Sequence, residues 1–279
     1  MKINEVKDHH FNYLPEGYDW VMVWNDEFDG NTLDESKWDF RLNRLMTPQV
    51  HYSKDPRCVS LDGNSNLVLS CVKDGDQYIS TQLQTGENFT DCPSNEEWPI
   101  AKLKKPKFAH RYGYYEIRAR LQKQRGWWSA FWLQSPTIGC CLEPERAGVE
   151  LDIMESFEPE VIAPHTIHWN GYGADHDNID SNHRKVIPPE INTYLEPTED
   201  GFHRFGMHWQ KDGYTFYVDG KQSGQKINGP VSHVEQFILI STECDGYRYT
   251  GYPTEDLKKI QLPDEFIVDY VRVFDEVEK

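Results

Sequence analysis

The stretch ELDIMESF places three carboxylates, Glu150, Asp152 and Glu155, within six residues, interleaved with Leu151, Ile153, Met154 and Phe157. Crowded carboxylates can divide acid and base work, because a like charge nearby raises the proton affinity of at least one of them. The same grouping could bind calcium or form a solvated sheet edge. Calcium loops usually draw on Gly and Asn as well, and the stretch contains neither.

The element that carries these residues decides what they can do. In a helix, Asp152 and Glu155 would be i,i+3 neighbours, with Ile153, Met154 and Phe157 on another face. Gly148 and Val149 are poor helix starters, however, and the preceding WWSAFWLQSP is strand-like, so a strand is expected. In a regular strand Glu150 and Asp152 share one face and Leu151 and Ile153 the other. Glu155 would then fall on the apolar side, where an ionised carboxylate is costly. One extra residue, a β-bulge, returns it to the face of Glu150 and Asp152. Same-face residues lie about 7 Å apart along a strand. Glutamate side chains can lean across Asp152 to the ~5–5.5 Å that a retaining glycosidase needs between its two carboxyl groups.

Short alternating runs surround this segment. Residues 66–72, 112–121, 127–134, 166–170, 203–210, 214–221, 236–242 and 266–274 are rich in β-branched and aromatic residues and read as strands. The triplets at 211–213 and 219–221 read as hairpin turns, and 254–260 as a short helical turn. Loops are expected at 42–57, 84–106, 135–148 and 171–201. The last carries Asp175, His176, Asp177, Asp180 and His183, read as a solvated loop beside a cleft, with a metal cluster as the other reading. Together these elements predict an all-β fold, a jelly-roll sandwich of two antiparallel sheets, as a single domain over 1–279.

Composition narrows the partners. Aromatics make up 13% of the 279 residues, with 9 Trp and 15 Tyr, which excludes a disordered chain and suits stacking against sugar rings as well as core packing. A net charge of −17 argues against nucleic acid and anionic membranes as partners. No apolar run is long enough to span a membrane, and the N-terminal stretch has no apolar signal-peptide core. The six cysteines include no Cys-x-x-Cys pair, so most are read as free thiols. Asn88-Phe89-Thr90 is a glycosylation sequon that matters only in a eukaryotic secretory pathway.

ELDIMES resembles the Glu-x-Asp-x-x-Glu signature of glycoside hydrolase family 16. VWNDEFDGNTLDESKW (23–38) is similar to that family's opening strand, and FAHRYGYYEIRARLQKQRGWWSAFWLQ (108–134) to the strand pair preceding the signature. TIHWNG (166–171), FHRFGMHWQKDGYTFYVDGK (202–221) and FIVDYVRVF (266–274) match later strands in order, so the resemblance covers about 18–275. It implies a jelly roll with an open cleft on a concave sheet, and an endo-acting, retaining hydrolase of β-1,3 or β-1,4 linkages in a polysaccharide. The extra residue at Met154 resembles the laminarinase, agarase, porphyranase and carrageenase branch rather than lichenases. Ser129 stands where laminarinases usually have Pro, and ILISTECDG (238–246) looks like the corresponding strand of agarases. Both lean towards an algal galactan of agar or porphyran type, with an endo-β-1,3-glucanase as the alternative. A catalytically inactive, lectin-like binding module on the same fold is the alternative from another class.

The resemblance implies Glu150 as nucleophile, Glu155 as acid and base, and Asp152 between them. It implies substrate contacts at Trp128, a sugar platform near the cleavage point, and at Trp132, His168, Trp209 and Glu243. Arg41, Asn43, Arg44 and His51 sit in an early loop of the kind that shapes the cleft, and Arg44 or Arg111 would meet a sulfate. No cofactor is expected for catalysis. A structural calcium near Glu27, Gly63 and Asp269 is expected from the family, as is an extracellular, periplasmic or cell-surface location.

Overall fold

The computed structural model describes residues 1–44, 47–86, 105–185 and 192–277. The sequon and Cys92 lie outside the described residues. Two antiparallel sheets dominate. The first has seven strands, in the order Asp177–Asp180, Thr166–Trp169, Glu150–Ser156, Trp127–Gln134, Phe237–Cys244, Gln82–Gln84 and Asp39–Phe40. The second has nine; its main path runs Lys221–Ile227, Gly213–Val218, His203–Gln210, Gly113–Arg120, Asp264–Val277, Leu67–Asp74 and Val59–Leu61. Asp19–Asp26 pairs with Asp264–Val277, and Gln77–Ile79 with Leu67–Asp74. The acidic strand is therefore an inner strand of the seven-stranded sheet.

Alternation along the strands builds one core between the sheets. Trp127, Phe131 and Leu133 from one strand and Leu151, Ile153 and Met154 from the next meet Tyr115, Ile117, Phe205, Met207 and Trp209 from the opposite sheet. Two buried polar groups on these inward faces are satisfied, as burial requires. Trp127 Nε1 donates to Asp264 at 2.8 Å, and Ser129 Oγ to Gln122 at 2.6 Å. The side chains of Trp128, Ala130, Trp132 and Gln134 are left for the outer face.

The expected hairpins form. Lys211 and Asp212 turn between two strands, and Asp219-Gly220 forms the next turn with φ of 47° and 74°, the backbone that a two-residue hairpin loop selects. The expected helical turn is Glu255–Lys259, capped by Thr254 Oγ1, which accepts from the Leu257 N–H. The five described cysteines are free thiols. No helix among the described residues is long and apolar enough to cross a membrane.

Candidate active site

The bulge lies where the broken rhythm requires it. Ala130 pairs with Glu155 and Phe131 with Met154, but the next residue, Trp132, pairs with Asp152, and Gln134 with Glu150. Ile153 is thus the unpaired extra residue, and it and Met154 are both fully buried. Residues directly opposite each other share a face of the sheet. Glu150, Asp152 and Glu155 therefore line the outer face with Trp132 and Gln134. On the other side of the acidic strand, His168 pairs with Glu150 and Thr166 with Asp152.

Crowding on this face sets the proton affinities. Burial, then the Glu150 charge, holds Asp152 up at about 6; its relative exposure is only 6%. Burial, then the charge of Asp152, holds Glu155 higher still, at about 8. Burial alone would lower the His168 imidazolium. Its bond to Asp152, Nε2 to Oδ2 at 3.2 Å, and the charges of the three carboxylates raise it to about 9 instead. At neutral pH the face thus carries a protonated Glu155 beside an Asp152–His168 ion pair. Glu150, Asp152 and His168 each offer a ligand atom within 4.8 Å of the others. Two of the three, Asp152 and His168, already meet each other, Nε2 to Oδ2 at 3.2 Å.

A hydrogen-bond chain fixes Glu150. The Tyr172 hydroxyl donates to Glu150 Oε2, and Gln134 Nε2 reaches the same oxygen at 3.4 Å and also donates to the Tyr172 oxygen. Arg41 Nη1 donates to Gln134 Oε1 at 2.8 Å. The Arg41 guanidinium also lies 5.1 Å from the centre of the Trp132 ring, whose Nε1 donates to Ser241 Oγ at 2.9 Å. Tyr172 arrives through a tight reversal after the Thr166–Trp169 strand, where Asn170 and Gly171 both take positive φ, 63° and 71°. The chain then returns to pair Asp177–Asp180 against that strand.

The other end of the face is built around Glu243, and here two expectations are corrected. Glu243 is 1% exposed and saturated by the protein, so it is not open to bind a sugar hydroxyl. It accepts from Tyr52 Oη at 2.6 Å, from Arg248 Nε at 2.7 Å and from Arg248 Nη2, with His51 Nε2 3.8 Å away. Burial would raise its carboxyl, but His51, Arg248 and Tyr52 bring it below the usual range. The Arg248 guanidinium lies 5.1 Å from the centre of the Trp128 ring. Trp128 faces the cleft side as expected, opposite Glu243, yet is only 7% exposed and packed against Phe157. It is therefore not an open platform; Trp132, half-buried, presents more indole. Gly246, with φ of 96°, makes the turn that folds Arg248 back. A Cβ there would stand 2.4 Å from the Tyr252 carbonyl.

Trp209 is a third correction. It lies on the His203–Gln210 strand of the second sheet, fully buried on the face of Phe205 and Met207 and edge-on to Tyr112. Alternation on that strand points it into the core. Arg111, expected to meet a sulfate, stacks on Tyr112 and donates to the His233 carbonyl. The Arg44 side chain lies outside the described part of the molecule. In the 171–201 segment the acidic and histidine residues disperse. Asp177 pairs with Lys185 and Asp180 with Arg184, His183 meets the Lys226 carbonyl, and His176 turns to His168.

The residues expected to hold calcium do not fit the ion. Both Glu27 oxygens accept from Arg272, which is fully buried, at 2.8 and 2.7 Å. Asp269 accepts from Arg118 at 2.7 Å and lies 2.9 Å from His10 Nδ1. Gly63 sits in an exposed turn. A cation there would have to displace two buried arginines.

Sequence reasoning missed Gln134, Tyr172, Tyr52 and Arg248. Tyr172 and Gln134 carried a signal: Asn-Gly directly after a strand marks a turn, and Tyr172 follows it. Gln134 could be placed on the outer face by alternation, but Tyr52 and Arg248 reach the site through loops and a single helical turn.

The fold has counterparts. A model of the β-porphyranase A–D domain of glycoside hydrolase family 16 matches residues 18–276. The glucan endo-1,3-beta-glucosidase A1 of Niallia circulans is 26% identical over 91% of this chain and 38% of its own length. The beta-glucanase of Rhodothermus marinus is 26% identical over 93% of this chain and 86% of its own length. The catalytic domain of an endo-1,3-beta-glucanase (laminarinase) from Thermotoga petrophila superposes with a TM-score of 0.66 at 24% identity, covering 94% of this chain and 100% of that one. This likeness identifies the two-sheet sandwich as a jelly roll. With the family model running almost from end to end, the chain belongs to glycoside hydrolase family 16, as a porphyranase A–D-type domain.

Proposed function

We propose that this chain is an endo-acting, retaining glycoside hydrolase that cleaves β-linkages inside a polysaccharide, with Glu150 as nucleophile and Glu155 as acid and base. One observation carries the reading: the bulge at Ile153 brings Glu155 onto the face of Glu150 and Asp152, where its carboxyl is held up at about 8 and so keeps its proton at neutral pH. Glu150, its carboxylate fixed by Tyr172 and Gln134, attacks the anomeric carbon while Glu155 gives its proton to the departing oxygen. That breaks the glycosidic bond and forms a glycosyl ester on Glu150. Glu155, now a carboxylate, takes a proton from water as the water attacks the ester. This releases the sugar and restores both groups. Asp152, paired with His168, keeps a fixed negative charge between them. Every proton donor and acceptor in this sequence is a side chain of the protein, so no cofactor is assigned to a step.

The favoured substrate is an algal galactan of agar or porphyran type. This rests on the porphyranase-type family match and on the Ser129 and 238–246 departures from laminarinases. The second reading, a β-1,3-glucan, is favoured by the glucan-cleaving names of the relatives. The setting that follows is outside the cell or at its surface. The test is a panel of porphyran, agarose, carrageenans, laminarin and mixed-linkage glucan, with reducing ends counted and products sized. Large oligosaccharides from a galactan support the reading, and cleavage of laminarin alone moves it to the second. Binding without new reducing ends from any polymer would make the chain a lectin-like module.

A further inference from the structure

The 170–176 segment supplies a side chain to the site that the reaction outlined above leaves without a role. His176 Nε2 stands 2.9 Å from His168 Nδ1. The two ring planes differ by 10° and their centres are 5.1 Å apart. That separation leaves no room for overlapping faces. It is what two imidazoles give when they meet nitrogen to nitrogen in a common plane, the geometry of a straight N–H···N bond. His168 Nε2 faces Asp152 on its other side. Asp152, His168 and His176 thus form one row, leading from the carboxylate cluster outward to a half-buried ring.

We propose that His176 is a positioning residue for the reaction: as a neutral imidazole it accepts the Nδ1–H of His168, which fixes the His168 ring with its Nε2–H aimed at Asp152. The inference rests on the hydrolase reading of this site and adds to it the group that orients His168. A histidine bound through one nitrogen has the role of that nitrogen set by what the other one meets. The groups facing His176 favour the neutral form. Burial comes first and the charge of His168 second, and both lower its proton affinity. Glu150 across the sheet and Asp177 beside it pull the other way, Asp177 being tied to Lys185, and the Tyr172 ring lies alongside at 6.1 Å. When His176 gains a proton at low pH it loses its acceptor lone pair and places a second cation against His168, and the row breaks.

The experiment compares His176→Phe, which has no acceptor, with His176→Gln, whose side-chain oxygen can accept. The imidazole signals of ring-labelled protein are followed by NMR through a pH titration, with His168 assigned by loss of its signals in His168→Gln. Phe should lower the His168 titration midpoint by about one pH unit, tenfold in its protonation equilibrium, and Gln should restore most of it. On the best substrate of the panel, Phe should lower kcat with KM nearly unchanged, and Gln should recover it. A His168 midpoint that is the same in Phe, Gln and unmodified protein overturns the proposal. The NMR readout needs no turnover, so it stands or falls separately from the hydrolase reading, which fails only if no polymer is cut.

Discussion

Ala130 lies directly across the sheet from Glu155, although strict alternation in the acidic strand would turn Glu155 into the core. The register shift between Phe131 and Trp132 absorbs Ile153 and reverses the facing of every later residue. Removing Met154 alone leaves Glu-Leu-Asp-Ile-Glu, in which plain alternation keeps Glu155 on the face of Glu150 and Asp152, whereas removing Ile153 and Met154 together should abolish the face. Without both residues, Glu155 follows Asp152 directly and either enters the core or drags its strand out of register. Hydrolysis should fall to background in the double deletion and remain measurable in the Met154 deletion, although loss of that fully buried Met should cost about 2–5 kcal/mol in urea unfolding. Reducing-end release near the unmodified rate in the double deletion would show that the facing of Glu155 does not decide catalysis.

The carboxyl cluster sets the pH dependence. Glu155 must hold its proton to act as acid, so kcat/KM should decline as pH rises through about 8. Asp152 is the largest charge holding Glu155 up. Asp152→Asn should therefore move the alkaline limb to lower pH, besides lowering the rate. Stability follows the same sign. The folded state binds the Glu155 proton more tightly than the unfolded chain, where the carboxyl has its ordinary value near 4.5. Its contribution is complete below 4.5 and is lost as pH rises through about 8. Glu155→Gln should flatten that decline in unfolding free energy between pH 5 and 8; an unchanged slope would place the titration elsewhere.

Arg248 and Glu243 should behave as a unit. Removing Arg248 leaves a buried carboxylate without its guanidinium, a change that typically costs about 3 kcal/mol or more. Arg248→Ala and Glu243→Ala should each destabilise, and the double variant should lose much less than their sum. Additive losses in denaturant melts would mean that the pair does not organise this end of the cleft.

The Arg272–Glu27 pair predicts indifference to chelation. With both Glu27 oxygens on a buried guanidinium, EDTA should leave Tm unchanged. Glu27→Ala should lower stability by about 3–5 kcal/mol, because it strands Arg272. A clear fall in Tm on chelation, reversed by calcium, would show that a cation is held after all.

Alternation made much of this architecture legible. The strands at 127–134 and 203–210 run as read, and 266–274 is the middle of a longer strand, Asp264–Val277. The bulge was legible because only one added residue rescues Glu155 from burial. Trp209 was misplaced because alternation gives a residue's face within its strand but not which sheet the strand joins. Glu243 was singled out by the resemblance of its strand, but its partners, Tyr52 and Arg248, come from distant or irregular segments, and no spacing rule pairs them. His176 looked like one polar loop residue among several. Its role appears only once the reversal at Asn170 and Gly171 brings it back to His168.

The central claim is the division of labour between Glu150 and Glu155, and azide rescue tests it most directly. Glu150→Ala and Glu155→Ala should fold and lose nearly all hydrolysis of the polymer the panel selects. Azide should restore part of the turnover in both. The predicted products are glycosyl azides of opposite anomeric configuration: inverted where the nucleophile is gone, retained where the acid and base is gone. The same anomer from both variants, or full activity in either without azide, would contradict the assignment.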